Sequence, residues 1–250
     1  MFIYLRSGLF LFWFLSISLI LNIGSLPLLV VPRRAAVWVA NKWARLVLFG
    51  LKHIAGVDMV VRGHVPSLAG VLIAAKHFSI WETIAVLALL RDPAIVLKRE
   101  LLWVPLYGWY CTKMGMIPIN RSSGSRAIRR MHAAAKRAVE AGRPVVIFPE
   151  GTRKKPGAAP DYKPGVAALY AQLGIPCVPL VHNSGLFWAD WFLRRPGTIV
   201  VEYLEAIPPG LPRREFMSAL EARMEEATTR LLREKPAQVD LSSVKAQEPQ

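Results

Sequence analysis

Two short segments carry the residue types that do chemistry: Lys76-His77-Phe78-Ser79-Ile80-Trp81-Glu82 and Phe148-Pro149-Glu150-Gly151-Thr152-Arg153. An imidazole titrates near neutrality, so His77 can serve as a general base if a carboxylate holds its other ring nitrogen. Glu82 is that carboxylate, five positions on. Residues five apart do not share a helix face, so the two meet only if His77 sits in the loop before the helix that carries Glu82. The segment also has a purely structural reading. Ser79 is a good N-cap and Glu82 stands three residues later, the spacing of a capping box, and spacing alone favours that role. In the second segment Gly151 lets the backbone approach a ligand and Thr152 offers a hydroxyl. Arg153 can grip an oxyanion through two parallel hydrogen bonds. The plainer alternative is a strand-to-loop turn punctuated by Pro149 and Gly151, with Glu150 and Arg153 as a surface pair that contributes little.

Both segments need elements to place them. Runs rich in β-branched and apolar residues, bounded by Gly or Pro, predict strands at 57–61, 71–75, 94–97, 145–148, 177–181 and 198–203. Helices are expected over 81–90, 125–141, 165–173 and 215–233, with Ser125 as a cap and Gly142 and Gly174 as stops. Alternation of this kind predicts an α/β fold, a mostly parallel sheet flanked by helices. His77 then follows a strand and precedes a helix.

The N-terminus differs. From Ser7 to Val31 no side chain is charged. As one helix this run would span about 37 Å, which suits a retained membrane anchor, although Pro27 and Pro32 disfavour helix just before them. Beyond it, Arg34, Asn41, Arg45 and Lys52 align within one arc of a helix. Trp38, Trp43, Leu46, Val47, Leu48 and Phe49 fill most of the rest. The pattern is that of a basic amphipathic helix lying in a membrane interface, or of an ordinary surface helix. The expected organisation is an anchor and interfacial helix at 1–52, a single α/β domain at 53–235 and a polar, disordered tail at 236–250.

Composition narrows the partners. Lys and Arg number 32 against 17 Asp and Glu, a formal charge of +15, and 53% of residues are hydrophobic. The charge calls for a polyanionic partner, and a mean hydropathy of +0.32 favours an anionic membrane over nucleic acid. Cys111 and Cys177 lie in no metal-ligand spacing and suggest no disulfide framework. His53, His64, His132 and His182 have no acid at a suggestive local spacing and read as surface or structural. Arg121, Arg126, Arg129, Arg130, Lys136 and Arg137 form a basic run, either a solvated helix face or a surface for headgroups or coenzyme A phosphates. Trp103, Trp109, Trp188 and Trp191 read as core or as an interfacial belt.

Taken in order, the two segments resemble motifs of the glycerolipid acyltransferase family, in particular its bacterial 1-acylglycerol-3-phosphate acyltransferases: a histidine, four residues and an acid, then Pro-Glu-Gly-Thr-Arg. Further blocks are similar: Lys98-Arg99-Glu100-Leu101, Pro105, Gly108, Gly115-Met116-Ile117-Pro118-Ile119-Asn120-Arg121, Tyr162-Lys163-Pro164-Gly165, and Ile175-Pro176-Cys177-Val178-Pro179-Leu180. The resemblance covers roughly residues 58 to 206. It implies transfer of a fatty acyl group from acyl-CoA or acyl carrier protein to the sn-2 hydroxyl of lysophosphatidic acid, giving phosphatidic acid. It casts His77 and Glu82 as the catalytic pair, Lys98, Arg121 and Arg153 as phosphate ligands, and Glu150, Gly151 and Thr152 as the turn. No metal and no cofactor beyond the donor are expected, and no nucleic acid. The N-terminal helices correspond to a membrane-embedded pair, with the chain on the bacterial inner membrane and its active site on the cytoplasmic side. Two residues depart from the pattern: Glu82 stands where Asp is usual, and Lys76 where Asn is common. Another lyso-lipid acceptor, such as a lyso-ornithine lipid or lysophospholipid, is the alternative, and a non-enzymatic basic membrane-binding protein is a more distant one.

Overall fold

The computed structural model describes residues 1–63, 70–120, 124–188 and 190–234; His64, Arg121 and the tail from 236 lie outside them. Seven strands form one sheet: β1 (Val57–Arg62), β2 (Leu72–Ala75), β3 (Ala94–Lys98), β4 (Ile117–Ile119), β5 (Val145–Ile147), β6 (Cys177–His182) and β7 (Gly197–Tyr203). Their order is β1-β7-β6-β2-β5-β3-β4. Every pairing is parallel except β6 with β7. β2 lies near the middle, and its four residues are all buried, as expected of a strand covered on both faces. Its side chains alternate. Leu72 and Ala74 join one core and Ile73 and Ala75 the other.

Helices α5 (Gly124–Glu140), α6 (Gly165–Leu173) and α7 (Arg213–Arg233) cover the first face, supplying Met131, Leu169, Tyr170, Phe216 and Met224 to its core. The second face carries α3 (Trp81–Leu89) and an N-terminal hairpin of α1 (Phe2–Gly24) and α2 (Arg33–Gly50), from which Phe10, Val47, Trp81 and Ile84 are buried. The mixed α/β sheet flanked by helices is thus the expected fold class.

The hairpin corrects the expected single helix over 7–31. α1 begins at Phe2, so it includes Arg6, and it stops at Gly24. Pro27 lies in a short 3-10 turn at Leu26–Leu29, and the chain turns back. The two helices run antiparallel. Arg6 Nε donates to Ile54 O (2.6 Å), Trp13 Nε1 to Leu46 O (3.0 Å) and Trp43 Nε1 to Ser18 Oγ (3.0 Å). Ser7, Phe10 and Ile17 form the buried stripe of α1, while Phe2, Leu5, Leu9, Phe12, Leu15, Leu19, Ile20 and Ile23 are exposed. In α2, Asn41 leaves the expected polar arc and donates to Leu87 O and Leu90 O, on the α3 side. Arg34, Lys42, Arg45 and Lys52 stay exposed beside exposed Trp38, Leu46 and Phe49.

Two ties fix the turn of the hairpin to the sheet domain. Ser25 Oγ lies 2.6 Å from Tyr110 Oη, on α4 (Tyr107–Lys113). Arg33 grips Asp92 through both guanidinium ends (2.6 and 2.8 Å), and Arg143 Nε donates to the same carboxylate (3.1 Å). Burial acts to raise the Asp92 pKa, but the two arginines outweigh it and hold the carboxyl below its ordinary range. β4 and α4 were not among the expected elements. β4 is three residues long and lies at the edge of the sheet, where its central Pro118 is readily accommodated.

Candidate active site

The site begins where β2 ends. Lys76 N–H donates to Leu180 O (2.9 Å), and the Lys76 carbonyl accepts from His182 Nε2 (3.0 Å). His77 N–H points to Glu150 Oε1 (3.4 Å), and the His77 carbonyl accepts from Lys154 N–H (2.9 Å). Successive backbone groups are thus anchored to β6 and to the loop after β5, and the His77 loop is fixed rather than free.

Ser79 and Glu82 then start α3. Ser79 N–H donates to Glu82 Oε1 (2.7 Å), Ser79 Oγ donates to Glu82 Oε2 (2.9 Å), and Trp81 N–H donates to Ser79 Oγ (3.1 Å). The Glu82 half of the capping box is therefore built, while α3 opens after Ile80, one residue later than a Ser79 cap would start it, and Ser79 Oγ accepts from Trp81. The other pairing is built as well: His77 Nδ1 lies 2.7 Å from Glu82 Oε1. One carboxylate does both jobs, and the two readings of the spacing do not compete. Glu82 is 1% exposed. Burial pushes its pKa up, but the hydrogen bond from His77 prevails, and the net direction is down. An ionised Glu82 fixes the Nδ1–H tautomer, leaving Nε2 as the basic nitrogen. The imidazole stacks on Phe148 at 4.3 Å.

His182 turns out to be a structural histidine behind the pair. It is buried between Phe78 and Trp81, and burial lowers its pKa, so it stays neutral and donates to the Lys76 carbonyl. Ser184 Oγ lies 3.4 Å from Glu82 Oε2. Sequence spacing could not reveal either contact, because both cross from β6 and the turn after it.

The second segment differs from its expectation in one respect. Glu150 is not a surface partner of Arg153. It is fully buried, 3.2 Å from Lys76 Nζ, and Lys76 in turn pairs with Glu225 of α7. Gly151 closes the turn with φ of 66°, in the left-handed region that favours glycine, and its N–H donates to Phe148 O (3.0 Å). Thr152 and Arg153 are exposed, as is Lys98 at the end of β3. Among the described residues neither Arg153 nor Lys98 makes an ion pair, so both cations are open to an anion.

Topology brings these pieces together. β2, β5 and β3 are parallel neighbours, so His77, the Phe148–Arg153 turn and Lys98 all follow strand ends at one edge, where open α/β sheets bind ligands. β4 ends at the same edge; Arg121 lies outside the described residues. Trp103 and Val104, after β3, and Trp109 on α4 are exposed beside this edge, and Trp191 is exposed near α1, whereas Trp188 is buried against Phe10. Among the described residues no cluster of three His, Cys, Asp or Glu could hold a metal ion.

Known proteins resemble this chain in sequence and in fold. The acyltransferase family model matches residues 58–183. The 1-acyl-sn-glycerol-3-phosphate acyltransferase of Pseudomonas aeruginosa is 35% identical over 177 residues, 69% of this chain and 68% of that protein. The mouse 1-acyl-sn-glycerol-3-phosphate acyltransferase alpha is 32% identical over 146 residues, 57% of this chain and 51% of its own length. The crystal structure of the 1-acyl-sn-glycerophosphate (LPA) acyltransferase PlsC from Thermotoga maritima shares the fold, with a TM-score of 0.73 over 92% of this chain and 99% of that one at 20% identity. With its histidine–glutamate pair and Glu-Gly-Thr-Arg turn inside the matched region, this chain belongs to the acyltransferase family.

Proposed function

We propose that the enzyme moves a fatty acyl group from an acyl thioester, acyl-CoA or acyl carrier protein, to the sn-2 hydroxyl of lysophosphatidic acid, giving phosphatidic acid. The observation that carries the reading is the 2.7 Å contact between His77 Nδ1 and buried Glu82, beside an arginine-bearing turn. His77 Nε2 takes the hydroxyl proton as the oxygen attacks the thioester carbonyl. The new C–O bond forms, the C–S bond breaks, and the imidazolium returns its proton to the departing thiolate. Glu82 holds the tautomer and stabilises the imidazolium, the logic of a serine-protease triad with substrate alcohol in place of serine. Arg153, Lys98 and Arg121 take the acceptor phosphate, while Glu150, Gly151 and Thr152 shape the turn. This route uses no metal and no cofactor besides the donor.

The exposed apolar face of α1 embeds the hairpin in a membrane, here the cytoplasmic face of a bacterial inner membrane. α1 has the length and composition to cross a bilayer, but it packs along the domain and is tied to it near both ends. We therefore place the hairpin within one leaflet. Trp103, Val104 and Trp109 extend that apolar surface to the strand ends that carry the site, giving a lipid acceptor a short path.

Acyl transfer by the purified protein in lipid vesicles, with a panel of lyso-lipids and both donors, tests the proposal. Phosphatidic acid from lysophosphatidic acid supports it. Acylation of a different lyso-lipid, with none of lysophosphatidic acid, refutes it.

A further inference from the structure

We propose that Lys76 is a positioning residue for acyl transfer: its buried ammonium, clamped between Glu150 of the turn and Glu225 of α7, holds the Glu150 carboxylate where it receives the backbone N–H of His77. The inference rests on the acyl-transfer reading above. Lysine is almost never fully buried unless paired, and here the pairing is double. Lys76 Nζ lies 3.2 Å from Glu150 Oε1 and pairs with Glu225 Oε1. It also stands over the Phe78 and Tyr162 rings at 5.7 and 5.3 Å, and Tyr162 Oη donates to the same Glu225 oxygen at 2.8 Å. Two carboxylates from distant parts of the chain thus converge on one ammonium, next in sequence to the proposed base.

The network has a direct route to His77. Glu150 Oε1 faces the His77 N–H, and Lys154 N–H holds the His77 carbonyl, so the β5 loop grips this residue from both sides. Burial raises the Glu150 pKa, and the Lys76 charge is the largest opposing influence. Without that charge the carboxylate takes up a proton or leaves its pocket, and the grip on the His77 N–H is lost. Because Glu82 fixes the ring at its Nδ1 edge, a shift of the His77 backbone turns Nε2 away from the acceptor hydroxyl. A misplacement of about 1 Å at such a centre costs about 10²-fold in rate. α7, which carries none of the motif residues, thereby enters the reaction through Glu225.

The test is steady-state kinetics of Lys76→Met and of Lys76→Met/Glu150→Gln in vesicles, per folded enzyme, with thermal unfolding recorded in parallel. Lys76→Met should lower kcat about 10²-fold while both substrate KM values stay within about threefold. In the double variant the neutral Gln amide oxygen accepts the His77 N–H without needing a cation, so kcat should return to within about tenfold of wild type. A purely structural lysine would lower the unfolding midpoint and leave the kcat of the folded fraction alone. A folded Lys76→Met enzyme with wild-type kcat, or a double variant no faster than the single, overturns the proposal. If Lys76→Met does not accumulate, Lys76→Met/Glu150→Gln is set against Lys76→Met/Glu150→Ala, which lacks any acceptor for the His77 N–H: a kcat at least about tenfold higher in the Gln variant supports the role, and equal kcat values overturn it. Wild-type turnover in the same assay checks the underlying reaction separately.

Discussion

At the scale of the residue, the proposed reaction turns on one nitrogen. His77→Ala should reduce turnover by about 10²–10⁴-fold without displacing the protein from membranes, because among the described residues this side chain bonds Glu82 and stacks on Phe148, neither of them in the hairpin. Near-normal turnover by the folded variant would sink the mechanism. Glu82→Gln separates the two jobs of Glu82. The amide oxygen can still accept the Ser79 N–H, but it cannot stabilise an imidazolium, so activity should fall steeply while the unfolding midpoint moves little. Full activity in Glu82→Gln would leave Glu82 with the cap alone. His182 makes a pH prediction. Its folded pKa lies below the ordinary 6.5, so below about pH 6.5 the unfolded chain binds the proton that the folded chain refuses, and stability falls as the pH drops through that window. Buried Glu150 acts with the opposite sign, its pKa being raised, so the informative quantity is a difference. The fall of the unfolding midpoint from pH 7 to 5.5 should be shallower in His182→Asn than in wild type, and an equal slope would contradict the assignment. Much of this site was legible in sequence: the His77–Glu82 spacing, the Ser79 cap and the Glu-Gly-Thr-Arg turn are local patterns. Lys76, Glu225 and His182 were not, because their partners lie across the sheet or on a helix from the other end of the chain, and no local spacing records such contacts.

At the scale of the element, burial patterns gave six strands and the main helices, and they failed where an element is held by its surroundings. β4 forms because its backbone completes the edge beside β3, not because Ile117-Pro118-Ile119 favours a strand. The over-long anchor helix had the opposite cause. Hydropathy is unbroken from Ser7 to Val31, but Pro27 ends the helix and leaves the turn that meets α4. The hairpin is also more than an anchor. Phe10, Ala44, Val47 and Leu51 are part of the core over α3 and β2. Deleting residues 1–52 should therefore yield an aggregating chain rather than a soluble enzyme, and recovery of a monodisperse, cooperatively unfolding truncate would contradict this. Asp92→Asn tests the tie at the hairpin turn. It strips two arginines of their shared carboxylate, and Arg143 is itself buried. A loss of about 2 kcal/mol is expected in denaturant unfolding, and a loss near zero would make the tie ornamental.

At the scale of the whole molecule, the chain separates its two kinds of surface. The apolar hairpin covers one face of the sheet, α5 to α7 cover the other, and the proposed site opens at the edge between them. Arg153 stands at that edge without an ion pair among the described residues. Arg153→Ala should raise KM for lysophosphatidic acid while leaving KM for the donor nearly unchanged. A larger rise for acyl-CoA would instead assign the guanidinium to the coenzyme's phosphates. One further consequence comes from the uncharged outer side of α1. An enzyme held to a bilayer by that side meets its acceptor in two dimensions, and the concentration that governs its rate is a mole fraction within the lipid. Adding inert phospholipid at constant amounts of enzyme, donor and lysophosphatidic acid should slow the reaction by surface dilution, although the molarity of no reactant has changed.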